Sequence, residues 1–60
     1  MTQLKDQIIK VIQQKARRRL AALAGQYVRA RQGEKEAIHA GIEFERWMAQ
    51  TCQEILEGSL

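Results

Sequence analysis

Arg29-Ala30-Arg31-Gln32-Gly33-Glu34-Lys35-Glu36 is the point where one helical pattern stops and a second starts. Arg29 and Arg31 stand where a last turn would fall, and cations suit the negative end of a helix. Gly33 is the residue able to adopt the left-handed conformation that closes a helix. Glu34 and Glu36 then supply anions at the positive end of the next helix. The pattern predicts a first helix over about residues 3–31, a turn over about 32–34 and a second helix over about 35–57. The expected fold is all-α, a two-helix antiparallel hairpin forming one domain over residues 1–60.

Outward from the turn, nothing in the chain resists this reading strongly. Thr2 suits an N-cap, and Asp6 lies early in the first helix, where a carboxylate is favourable. There is no proline, and Ala, Gln, Glu, Lys, Arg and Leu, all helix formers, are abundant. Gly25 is the weak point, since a glycine inside a helix costs about 1 kcal/mol relative to alanine.

Apolar periodicity then assigns faces. Ile9, Ile12, Ala16, Leu20, Leu23 and Tyr27 recur at helical spacing in the first helix, as do Ala37, Gly41, Phe44, Met48, Thr51 and Ile55 in the second. These two seams are expected to form the hairpin core. Each helix also carries a second seam: on the first, Leu4, Ile8 and Val11, continuing through Lys15, Arg18, Ala22, Gly25 and Arg29, and on the second, Ile38, Ile42, Ala49, Cys52 and Leu56, interrupted by Glu45. A helix with one neighbour needs one seam, whereas a helix in a four-helix bundle has two neighbours.

Size points the same way. A chain of 60 residues buries only about 60% of the surface its unfolded form exposes, so small domains usually add a disulfide, a metal or a second subunit. Cys52 is the single cysteine, and His39 and Cys52 cannot complete a four-ligand zinc site. The expectation is a homodimer of hairpins, a four-helix bundle, with Leu4, Ile8, Val11, Ile38, Ile42, Trp47, Cys52 and Leu56 at the interface with the second copy or with a protein partner.

Charge divides unevenly. Residues 1–32 hold eight lysines and arginines against Asp6, a net of +7, while residues 33–60 hold Lys35 and Arg46 against six glutamates, a net of −4. Two helices of opposite sign attract when folded side by side, which is one origin of the split. The run Lys15-Ala16-Arg17-Arg18-Arg19 gives the other reading, since clustered cations release counterions from nucleic acid. Lys15, Arg17, Arg18, Arg19 and Arg29 are the candidate phosphate contacts. They do not share one helix face, and no aromatic residue interleaves with them.

Catalysis is not expected. An active site needs a nucleophile, acid, base or metal held in a concave pocket, for which two helices leave little room. His39 falls on the outer face of the second helix near Glu36 and Glu43, as a solvated histidine supported by carboxylates. Cys52 reads as a small apolar residue in its seam. Phe44, Trp47 and Met48 are the densest apolar cluster, core by the simplest reading, with Trp47 at the seam edge as a possible anchor for a partner. No cofactor, metal or small-molecule substrate is expected. No apolar run approaches the roughly 20 residues of a membrane span, and a lone thiol without a secretion signal suits the cytoplasm.

These readings favour a small non-catalytic protein–protein interaction or regulatory module, with a nucleic-acid-binding regulator using the basic face of the first helix as the alternative. In size and topology alone the architecture is similar to the small dimeric helical hairpins that bind RNA in plasmid copy control, and no residue is carried over from them.

Overall fold

The computed structural model describes residues 2–58, with side chains from residue 4 onward. Two helices account for nearly all of it: α1, Thr2–Arg29, and α2, Gln32–Leu56. They lie antiparallel in a body 47 × 18 × 11 Å across. The long dimension is that of one helix, since 28 residues rise about 42 Å at 1.5 Å each. No strand occurs among the described residues. Helix α1 runs unbroken through Gly25. The capping role expected of Thr2 falls outside the described side chains, and no acidic residue lies in the first turn of α1.

The turn is tighter than expected and falls earlier. Only Ala30 and Arg31 separate the helices, and Gly33 is already inside α2. The Ala30 amide donates back to the Tyr27 carbonyl at 3.3 Å, and Arg31, extended at φ −78° and ψ 158°, caps α2. Its backbone N–H donates to Glu34 Oε1 at 3.1 Å. Only this half of a reciprocal capping box is chemically possible, because a guanidinium has no acceptor to offer in return. A left-handed closing residue at Gly33 is therefore unnecessary, and its φ is not positive. The left-handed glycine is Gly58, at φ 75°, directly after the Glu57 C-cap, with its amide donating to Ile55 O at 3.1 Å.

The helices meet along two strict heptad seams: Ile9, Gln13, Ala16, Leu20, Leu23 and Tyr27 on α1, and Ile38, Ile42, Glu45, Ala49, Cys52 and Leu56 on α2. The α1 seam is as expected except that buried Gln13 takes the place given to Ile12, which stays 42% exposed. The α2 seam is a correction. Ile38, Ile42, Cys52 and Leu56, expected at an outer interface, face α1 inside the hairpin, while Phe44 and Ile55, expected in its core, point outward.

Side-chain size gives the physical reason. Ala16, Gly41, Ala49 and Cys52 allow close approach, and a Leu23 methyl sits directly over Gly41, 3.2 Å from where a Cβ would be. The polar interruptions are accommodated rather than avoided. Gln13 Nε2 donates to Ala49 O at 3.3 Å and to Gln53 Oε1 at 2.9 Å. Buried Glu45 lies 3.8 Å from the Arg19 guanidinium. The core that results is thin: among the described residues Ala16 and Cys52 are the buried apolar ones, and no large side chain is fully enclosed.

Candidate interaction surface

Each helix leaves a second apolar set uncovered. On α1 it is Leu4, Ile8, Val11 and Ile12, which line a shallow groove together with Gln7. On α2 it is Phe44, Trp47 and Ile55. Leu4 is 66% exposed, Trp47 60% and Phe44 53%, values far from those of core residues. The Phe44 and Trp47 rings pack on each other, centroids 6.3 Å apart at 36°, which turns two exposed aromatics into one plate.

Helix geometry places both sets on one side. At 100° per residue, the exposed set is rotated from its packed seam in the same rotational sense on both helices, by about 115° on average on α1 and about 130° on α2, where Trp47 points almost directly away from α1. In antiparallel neighbours, rotations of the same sense carry both sets to the same broad face of the hairpin. Ala22 on α1, and Ala37, Ala40 and Thr51 on α2, fall on that face by the same count.

The opposite face is polar apart from Val28, which is 80% exposed. Lys35 Nζ sits 5.2 Å above the Tyr27 ring, in a concavity shared with Gln32, Glu36 and His39. His39 Nε2 is 3.7 Å from Glu43 Oε1, which also accepts from Arg46 Nη1 at 3.2 Å. The second expected support for His39, Glu36, shares the concavity without forming an ion pair with it. Such exposed pairs contribute roughly 0–1 kcal/mol each. Among the described residues no three histidine, cysteine or acidic side chains are grouped to hold a metal ion.

The five basic candidates are all exposed but do not converge. By helix phase, Lys15 and Arg19 lie on the open face itself, in line with Leu4, Ile8 and Ile12, Arg17 lies on the polar side, and Arg18 and Arg29 point away from α2. Arg19 is drawn toward Glu45 across the seam, and Arg29 folds back along its own helix, its Nη2 4.0 Å from the Cβ position of Gly25.

Of the expected interface residues, Leu4, Ile8, Val11 and Trp47 lie on the open face, and Ile38, Ile42, Cys52 and Leu56 are taken up by the hairpin. Phe44, Ile12 and Ile55 belong to the open face and were not anticipated there. The signal was present in the spacing: Ile38, Ile42, Glu45, Ala49, Cys52 and Leu56 alternate by four and three residues as strictly as the seam that was preferred. No described helix is long and apolar enough to cross a membrane. Comparison with protein-family models, curated proteins and solved structures returns no match to this chain.

Proposed function

We propose that this chain is a non-catalytic protein–protein interaction module that works as a dimer of helical hairpins, its open apolar face covered by a second copy. One observation carries the reading. The hairpin exposes 4917 Å². A compact monomer of 6.9 kDa would expose about 4000 Å², so the excess is roughly 900 Å². A standard interface covers about 800 Å² of each partner. The open face presents Leu4, Ile8, Val11, Ile12, Phe44, Trp47 and Ile55 as exposed large apolar side chains. Covering that face would add large side chains to a core that otherwise encloses none, at about 1.5–3 kcal/mol for each one fully buried.

A second copy suits the face better than an unlike partner because the helices differ in sign. The first half of the chain carries +7 and the second −4, so two copies supply each other's counter-charge. The buried, unpaired Cys52 agrees with a reducing compartment such as the cytoplasm. Sedimentation equilibrium tests the proposal: the mass should be twice 6.9 kDa at micromolar concentration, with Trp47 emission shifting to the red on dilution. A monomer with unchanged emission across the whole range would overturn it.

A further inference from the structure

Resting on that reading, we infer that the two copies pack with their turns at the same end, α1 of each lying over α2 of the other, guided by a charged rim. Two face-to-face arrangements have two-fold symmetry. In one, the axis runs along the helices and the turns lie together. In the other, the axis crosses the helices, the turns lie apart, and each helix packs on its own copy.

The rim of the open face discriminates between them. Along the outer edge of α1, helix phase places Arg18 and Arg29; along the outer edge of α2 it places Trp47 with Glu36 and Glu54. The intrachain pairs Gln13–Gln53, Arg19–Glu45 and Tyr27–Lys35 fix which residues stand level. A same-end dimer keeps those levels, because its axis is parallel to the helices. Arg29 then meets Glu36 of the second copy, and Arg18 meets the Trp47 ring. Leu4, Ile8 and Ile12 cover Ile55 and Thr51, and the Phe44–Trp47 plate lies over the small Ala22.

The opposite-end dimer brings like against like. Lys15 comes level with Arg18 of the second copy, and Arg29 is driven onto Leu4. Cations opposed to cations, and an arginine desolvated on a leucine, both disfavour association.

Two experiments decide the arrangement. A nitroxide on Gln32→Cys, in a Cys52→Ala background checked by circular dichroism, reports the distance between the two turns. Same-end packing puts the labels within about 30 Å, given helix spacings of about 10 Å. Opposite-end packing separates them by nearly the 47 Å length of the hairpin and would overturn the inference while leaving the dimer intact. A monomeric mass for the labelled and native chains would remove the dimer itself. The second experiment needs no label. Arg18→Glu with Arg29→Glu should weaken the dimer at least tenfold, Glu36→Lys should weaken it as well, and mixing the two variants should bring association back toward the native affinity in a heterodimer. An Arg18→Glu, Arg29→Glu chain that dimerises as tightly as the native one would overturn the same-end arrangement.

Discussion

Gln13 and Gln53 face each other across the hairpin, the Gln13 amide donating to the Gln53 side-chain oxygen at 2.9 Å and to the Ala49 carbonyl at 3.3 Å. An apolar seam tolerates sliding by a turn, because one methyl contact resembles the next. A buried amide does not, since displacement would leave it without a partner at a cost of about 1–3 kcal/mol. Gln13 is thus the register pin of the two helices.

Replacing Gln13 separates packing from hydrogen bonding. Gln13→Ala should lower the unfolding free energy by about 1–2 kcal/mol through lost contacts and lost bonds. Gln13→Leu should return to within about 1 kcal/mol of the native chain, because it refills the volume and removes the need for a partner. Urea denaturation checks both. A Gln13→Ala chain as stable as the native one would show that the pin bears no weight.

The glycines test the turn. Gly25 and Gly33 lie in helices with negative φ, and a Cβ there meets only an arginine tip or open space. Gly25→Ala and Gly33→Ala should each stabilise by about 0.5–1 kcal/mol. Gly41→Ala should gain less, because its Cβ would press on Leu23 at 3.2 Å. A loss on Gly33→Ala would mean that Gly33 adopts a left-handed turn in solution.

Two glutamate substitutions should have different consequences. Val11→Glu lies on the open face and should yield a folded monomer, with the dimer weakened tenfold or more. Ile42→Glu puts a charge against α1 and should cost about 2 kcal/mol or more, unfolding much of the chain. Phe44→Ala, measured below the dimer's dissociation constant, should change hairpin stability by less than about 1 kcal/mol. Sedimentation and circular dichroism together read all three, and loss of helix in the Val11→Glu chain would contradict the assignment of faces.

Nucleic acid offers a clean contrast. Lys15, Arg17, Arg18, Arg19 and Arg29 point in three directions, and Glu45 already attracts one of them. Band-shift titration on mixed DNA and RNA at low salt should show binding weaker than about 10 μM. Micromolar binding with a salt slope of about −4 to −5 would instead mean that four to six phosphates are neutralised per dimer, and would restore the basic helix as the functional surface.

Residues 29–36 disclosed two helices and a reversal, because charge placement and helix propensity act locally and are read locally. They did not disclose where the reversal falls. Gly33 drew attention for its conformational freedom, but Glu34 accepting from the Arg31 amide starts α2 without it. The α2 seam is hidden in the sequence for a different reason. Phe44 and Ile55 make a more apolar row than one containing Glu45, and hydrophobicity alone ranks it first. The hairpin selects by fit as well, bringing together Ala16, Gly41, Ala49 and Cys52, with Arg19 placed to meet Glu45. Those are pairings between distant residues, and no reading of one helix at a time contains them.

The brevity of the Ala30–Arg31 connection also sets the order in which the hairpin zips. Tyr27 and Lys35 meet by closing a short loop, whereas Gln13 and Gln53 are 40 residues apart along the chain. Loop closure grows more costly with length, so pairing proceeds most easily from the turn toward the open end, each contact shortening the loop for the next. The open end is therefore the last to close and the first to fray. It is also where Leu4, Ile8 and Val11 await cover. In the proposed dimer, assembly would steady the open end of a hairpin already formed at its turn, so amide protection in residues 4–12 and 51–56 should track protein concentration while that beside the turn stays constant.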